Sequence, residues 1–286
     1  SPNLLSYGKK TEGSRRLIFF DDSLPIFIED KFKKYFEKNK IEVKTARIVC
    51  SESSKDIQML LNILSIIETF GIVRRGEPVI VVGGGVLMDA VSFATSIYRR
   101  GVPCIKIPTT LLGIVDASIG IKTSVNHFSR RNRLGSYSFP IAVIIDPSFL
   151  STLPGIEFSN GLAEIIKLAI IKDSELFKIL QKNQKELLDF NFYQKEIGKK
   201  IIIMSIQGML DELISNPFEM NLKRLVDFGH TFSPVPEMRS LNDSSVPDLS
   251  HGTAVALDCL LSSAISVERK ILPLDQLKEI LSLFTK

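Results

Sequence analysis

Val79-Ile80-Val81-Val82-Gly83-Gly84-Gly85-Val86-Leu87-Met88-Asp89 decides how the first half of this chain folds. Four consecutive apolar residues predict a strand covered on both faces. The three glycines let the backbone turn tightly after it. Apolar residues at helical spacing then predict a helix over 87–98. A strand, a glycine turn and a helix can cradle a phosphate, because glycine admits the ligand to the backbone and the helix N-terminus offers free N–H groups. The run is not G-x-G-x-x-G, and Asp89 falls in the first turn of the helix. A tight turn in an unrelated α/β protein explains the run about equally well.

The same alternation extends outward. Residues 17–20 and 47–50 read as strands, followed by a helix over 54–70 with Ile57, Leu60, Leu61, Leu64 and Ile67 at helical spacing. Ser53 with Asp56 is the expected N-cap pair. Two more strands are expected at 103–107 and 141–145. This βαβα order predicts a mostly parallel sheet with ligands at the C-terminal strand ends. Asp21 and Glu52 each follow a strand, where a carboxylate can accept from ribose hydroxyls; a helix-capping or solvated acid is the alternative for each. From Pro147 the pattern becomes helical, with segments expected at 158–171, 174–188, 194–210, 252–267 and 275–284. The boundary is set at Asp146-Pro147, giving an α/β domain over 1–146 and an all-α domain over 147–286. Chemistry is expected in a cleft between them.

The chain has 286 residues, 44% of them hydrophobic and 24% charged, enough for a large core in a soluble protein. Thirty-six Lys and Arg against 32 Asp and Glu, with no long basic block, do not argue for nucleic acid. Basic residues gathered in one place would suit an anionic small molecule. No apolar run reaches membrane-spanning length, and no signal peptide is evident. Cys50, Cys104 and Cys259 form no C-x-x-C pair, so reduced thiols in a cytoplasmic protein are expected.

Two of the three histidines, His230 and His251, lie near each other in sequence, and Glu164 sits in an apolar helical run. A carboxylate buried there needs a partner. Lys167, one turn away, is one answer; a metal held by two imidazoles and a carboxylate is the other. The spacing matches no short metal motif. Thr109-Thr110, Asp116, Lys122, Asn126, Arg131, Asn132 and Arg133, with Arg99-Arg100 upstream, form a donor-rich stretch able to bind a phosphate. On composition alone it reads as a solvated basic loop.

Seven ordered motifs raise the specificity: GGGVLMD (83–89), YRRGVP (98–103), IPTTLLGIVDASIGIKT (107–123), RNRLGSY (131–137), NGLAEIIK (160–167), VDFGHTFSP (226–234) and HGTAVALD (251–258). Together they resemble the sugar phosphate cyclase superfamily, which includes dehydroquinate synthase. The resemblance implies an NAD-binding α/β domain followed by an all-α metal-binding domain. It implies zinc, with cobalt as an alternative, on Glu164, His230 and His251. It implies NAD on Asp21, Glu52, Lys55, Gly83, Gly84, Gly85, Asp89, Thr109 and Thr110. The substrate positions it implies are Asp116, Lys122, Arg131, Asn132, Lys167, Lys223 and Asp227, of which Lys122, Lys167, Asp116 and Asp227 are the catalytic candidates. Arg100 is implied as a phosphate ligand, reaching from a partner subunit of a homodimer.

Asp227 and Pro234 stand where dehydroquinate synthases carry Asn and a second His, and this looks like the 2-epi-5-epi-valiolone synthase branch. That branch implies a carbon–oxygen lyase acting on sedoheptulose 7-phosphate by transient oxidation, β-elimination of phosphate, reduction and intramolecular aldol closure. Dehydroquinate synthase, a polyol or glycerol-phosphate dehydrogenase and an inactive NAD- or sugar-phosphate-binding relative are the alternatives. Three departures stand out. Arg131 replaces the usual Lys, which is expected to alter phosphate contact. Thr253 replaces a common Glu, which is expected to weaken outer support of the metal. The family's basic residue before the first histidine falls on Lys223, with Arg224 adjacent. Members of the family continue further at the C-terminus, and a closing segment of the site is expected there.

Overall fold

β1 (Arg15–Asp21), β2 (Glu42–Ile48), β3 (Val79–Gly83) and β4 (Cys104–Pro108) are joined by β7 (Ala142–Val143) in a parallel sheet ordered β2-β1-β3-β4-β7, in a computed structural model that describes residues 15–285 apart from Leu188, Phe190 and Ser244. The two central strands are the apolar runs: every residue of β3 is buried, and Leu17–Phe20 of β1 are fully enclosed. β2 runs over 42–48 rather than 47–50. It is an edge strand with a polar face, Glu42-Val43-Lys44-Thr45, and pairs with β1 from Arg15↔Glu42 to Asp21↔Ile48. Alternating polarity on a one-sided edge hides such a strand from a search for apolar runs.

Helices cover this sheet. α1 (Ile26–Lys38) lies in a segment with no assigned element in the sequence reading. α2 (Ile57–Phe70) is capped by Asp56, whose side chain accepts from Met59 N, while Ser53 Oγ bonds to Ser51 Oγ instead of joining the cap. It stops at Gly71, whose φ of 64° is the left-handed conformation that ends helices. α3 (Gly85–Ile97) starts two residues earlier than expected, with Gly84 at its N-cap. The basic stretch expected to be a loop is an antiparallel hairpin, β5 (Lys122–His127) with β6 (Arg130–Tyr137). Its tip residues Phe128 and Ser129 both have positive φ, as a tight hairpin turn requires. Thr123 and Val125 are buried on the inner face of β5.

The helical unit contains α4 (Gly155–Ile171), α5 (Ser174–Lys182), α6 (Gln184–Leu187), α7 (Glu196–Ser215), α8 (Pro234–Asn242), α9 (His251–Glu268) and α10 (Leu274–Phe284). The helix expected over 174–188 breaks at Asn183, and its predicted end at Leu188 lies outside the described residues. The helix expected at 194–210 starts at Glu196 and runs five residues longer. α8, like α1, falls where the sequence reading assigned no element; its Pro234 and Pro236 both sit in the first turn, where a missing N–H costs nothing. Two compact units result. One ends at Thr109 and resumes over Ile121–Asp146; the other takes Thr110–Gly120 and resumes at Pro147. A single cut after Asp146 therefore misassigns Thr110–Gly120, whose Leu111, Ile114 and Val115 are buried with the helices. Among the described residues no helix is long and apolar enough to cross a membrane.

α4 and α9 meet at a glycine. A Cβ on Gly252 would lie 2.3 Å from Asn160 Cα, and Gly252 N donates to Asn160 Oδ1 at 3.0 Å. Neither backbone can yield without separating the helices that carry Glu164 and His251. Gly252→Ala is expected to cost about 1–3 kcal/mol or more, as overpacking does. Urea unfolding of the variant, with unchanged slope and a lower midpoint, checks this.

Candidate active site

Glu164 lies midway along α4 and is 3% exposed. His251 opens α9, and His230 follows Gly229 in the turn before α8. Their ligand atoms all fall within 4.8 Å of one another. His251 Nε2 is 3.4 Å and His230 Nε2 3.9 Å from Glu164 Oε1. Gly229 has φ 80°, and a Cβ there would be 2.8 Å from Cys259 Sγ, so only glycine presents His230 at this point.

The other ring nitrogens are turned away from Glu164. His230 Nδ1 is 3.3 Å from Phe228 O, and His251 Nδ1 is 3.1 Å from Glu237 Oε1. A Nδ1–H donor in each ring leaves the Nε2 lone pairs aimed at the carboxylate. Burial, aided by the charge of Lys167, pushes His230 down to about 4, so the ring is neutral at pH 7. Burial alone would raise the Glu164 carboxyl, but the charge of Lys167 opposes this and the group is held ionised. Lys167 Nζ comes to 2.5 Å of Glu164 Oε2, yet neither carboxylate oxygen has a partner with hydrogen-bond geometry. A buried anion facing the Nε2 atoms of two imidazoles fits a divalent cation. Burial pushes the nearby Cys259 thiol up to about 12, which leaves it a packing group.

Of the two answers posed for Glu164, the lysine stands beside it, and the grouping with two imidazoles has the donor set that the other would need. Lys167, itself 3% exposed, pairs with Glu164 and donates to Val226 O at 3.2 Å. Its pKa is raised: Glu164 and Asp116 overcome the effect of burial. Asp116 stands in a π-helical turn (Gly113–Ala117) and lines a small cavity with Glu164, Lys167, Ser205 and Met209. Asp227 is gripped bidentately by Arg224, at 2.9 and 2.5 Å, and Arg224 also pairs with Glu219. Arg224 is thus the basic residue joined to Asp227, while Lys223 is exposed.

In the sheet unit the cofactor and substrate candidates form one network. Lys55, 3% exposed, donates to Asp89 Oδ2 at 2.6 Å and Asn132 Oδ1 at 2.7 Å. Glu52 Oε1 accepts from Asn126 Nδ2 at 2.9 Å and Arg131 Nε at 3.0 Å. Burial would raise Glu52, but Lys55 and Arg131 hold it below the usual carboxylate range. Arg131 thus spends an N–H on a carboxylate expected to serve the cofactor, a contact outside its expected phosphate role. Gly83 is dictated by packing: its Cβ would be 2.9 Å from Leu87 Cδ2 and 3.0 Å from Asp21 Cβ. Gly84 brings no side-chain cap to α3, so the helix N-terminus keeps donors suited to a phosphate.

The remaining positions have local partners. Asp21 accepts from Ser23 N and Oγ. Thr109 N donates to Gly83 O, and Thr110 Oγ1 accepts from Gly113 N at 2.9 Å, stapling the π-helical turn. Lys122 and Arg100 are exposed, and Arg99, Arg100 and Gly101 all have positive φ. Thr253 belongs to the N-cap of α9, 2.9 Å from Ser250 Oγ. The acid on His251 is instead Glu237, absent from the sequence reading. The available signal was a glutamate inside a short proline-started helix, and nothing in its spacing pointed at an imidazole.

Residues 45–160 match the family described as 3-dehydroquinate synthase N-terminal, and residues 161–286 that described as 3-dehydroquinate synthase C-terminal. The chain is 38% identical over 291 residues to the 2-epi-5-epi-valiolone synthase of an Actinoplanes species, covering 100% of this chain and 72% of that protein. This chain belongs to the dehydroquinate synthase-like sugar phosphate cyclases. It is also 41% identical to the 2-epi-5-epi-valiolone synthase of Streptomyces albus, covering 94% of this chain and 66% of that one. A solved cyclase structure, 2-epi-5-epi-valiolone synthase from Streptomyces hygroscopicus subsp. jinggangensis 5008 with NAD+ and Zn2+ bound, superposes with a TM-score of 0.89 at 40% identity, covering 94% of this chain and 73% of that one. The chain therefore spans about two thirds of the length of these cyclases, and its fold is the dehydroquinate synthase-like one implied by its motifs.

Proposed function

We propose that this chain carries the chemistry of a sugar phosphate cyclase that converts sedoheptulose 7-phosphate to 2-epi-5-epi-valiolone with loss of phosphate. The observation that carries the reading is the convergence of Glu164, His230 and His251, with Lys167 and Asp116 beside them. The 38–41% identity to 2-epi-5-epi-valiolone synthases supports the substrate assignment. Asp227 and Pro234, flanking His230, favour it over dehydroquinate chemistry.

Glu164, His230 and His251 would hold zinc, or cobalt in its place. Asp21, Glu52, Lys55, Gly83–Gly85, Asp89, Thr109 and Thr110 would hold NAD. When bound, the metal supplies a Lewis acid for an alcohol or carbonyl oxygen, and NAD supplies a reversible hydride acceptor. The chain's own groups position and polarise. Lys167 keeps a positive charge against Glu164 and Asp116, where it can stabilise developing negative charge on a substrate oxygen. Asp116 and Asp227 accept from sugar hydroxyls, and the Arg224 fork fixes Asp227 in place. Lys122, Arg131, Asn132 and Lys223 are assigned to phosphate and hydroxyl groups, with Arg100 reaching from the partner in a homodimer. The three free cysteines are in keeping with a cytoplasmic enzyme.

Incubation with sedoheptulose 7-phosphate, NAD+ and Zn2+ or Co2+ is expected to release phosphate and form a cyclitol in equal amounts, with no net NADH. Accumulating NADH would point to a polyol or glycerol-phosphate dehydrogenase. Turnover of the seven-carbon acid phosphate used by dehydroquinate synthase, with none of the heptulose phosphate, would overturn the assignment.

A further inference from the structure

Two buried carboxylates outside the proposed ligand set tie the two histidine segments together, and each sits seven residues after a histidine. Glu237 follows His230, and Asp258 follows His251. Their contacts are crossed. Glu237, on the helix after His230, places Oε1 3.1 Å from Nδ1 of His251. Asp258, two turns along the helix that His251 opens, accepts through Oδ2 from Phe232 N at 2.5 Å and Ser233 N at 2.9 Å. Ser233 Oγ in turn donates to Gly229 O at 2.9 Å, closing the turn that presents His230. Glu237 is 3% and Asp258 2% exposed.

We propose that Glu237 and Asp258 are positioning residues that cross-brace the metal centre, each histidine being held by the carboxylate carried on the other's segment. The proposal rests on the reading of Glu164, His230 and His251 as metal ligands. An imidazole with Nδ1–H donating to a carboxylate is locked in one tautomer and one orientation, with Nε2 presented as ligand and its basicity raised. Two backbone N–H groups on one carboxylate oxygen fix the turn after Gly229, where no regular element would otherwise hold it. Asp258 Oδ1 accepts from Ser262 Oγ at 3.0 Å, so the brace is itself anchored one turn along α9. The arrangement also answers the departure at Thr253. The acid absent from that position has a counterpart on a different helix, and Thr253 instead gives its backbone N–H to Ser250, the N-cap of α9.

The test is Zn2+ affinity of the full chain by competition with a chelating dye, for the parent, Glu237→Ala, Glu237→Gln, Asp258→Asn, Thr253→Ala and His230→Ala. Loss of an outer partner of a ligating histidine weakens metal binding by about 10–100-fold. Glu237→Ala and Asp258→Asn are expected in that range. Glu237→Gln, whose amide oxygen still accepts, should lose less, and Thr253→Ala should stay within about twofold of the parent. Visible absorption of the Co2+-loaded protein should shift in Glu237→Gln, which a merely structural role would not produce. Folded Glu237→Gln and Asp258→Asn proteins with parental Zn2+ affinity and an unchanged Co2+ spectrum would overturn the brace. If His230→Ala also kept parental affinity, the ligand assignment itself would fall; if His230→Ala alone lost zinc, only the brace would.

Discussion

His230→Ala is expected to leave the protein without stoichiometric zinc and to abolish phosphate release from sedoheptulose 7-phosphate. Only two ligands would remain, and the ring lost is the one that burial and Lys167 keep neutral at working pH. Glu164 would still face Lys167 and His251, so the fold has no strong reason to fail. Lewis-acid stabilisation is worth several kcal/mol of barrier, and at about 1.4 kcal/mol per decade the rate should fall roughly a thousandfold or more. Metal analysis of the dialysed variant and a phosphate-release assay measure the two losses separately. Stoichiometric zinc retained in the variant would remove His230 from the site.

Lys167→Met is expected to destabilise the metal-free protein by about 3–5 kcal/mol, the usual result of removing one partner from a buried ion pair. Glu164 would be left with burial pushing its carboxyl up and without its strongest attracting charge. The sign with pH follows. The parent's depressed carboxyl contributes stability above the ordinary carboxylate value and loses it as pH falls through the folded one. The variant's carboxyl can protonate and escape its penalty, so the gap between the two proteins should narrow from pH 7 toward pH 4. Saturating zinc should narrow it as well at pH 7, because a bound cation takes over the pairing. Urea unfolding at several pH values, with and without zinc, checks both trends. An equal gap under all conditions would mean that Lys167 acts by packing alone.

What was legible in the sequence follows from what each segment buries. β1 and β3 are covered on both faces, so they read as unbroken apolar runs. β2 and the β5–β6 hairpin have a polar side, and their alternation was lost among charges. α8, with two prolines in its first turn, was assigned no element. For the site, residue type alone left Glu164 between a lysine and a metal, and only the order of seven motifs tipped the balance. The crossed contacts of Glu237 and Asp258 lay beyond such a reading, because each joins residues 14 and 25–26 positions apart through a turn whose path depends on Gly229. The engagement of Arg131 with Glu52, 79 positions away, needed the hairpin before it could be seen.

The excursion of Thr110–Gly120 bears on how this protein can be made and cut. Between β4 and β5 the chain leaves one compact unit, gives Leu111, Ile114 and Val115 to the core of the other, and returns. A fragment ending at Asp146 would keep that apolar segment and lose the helices that enclose it. It would be sticky, not an autonomous domain. On the ribosome the same segment emerges well before α4, so it must wait uncovered while more than thirty further residues are synthesised. The two units are stitched at three crossings of one polypeptide, so no single cut separates them.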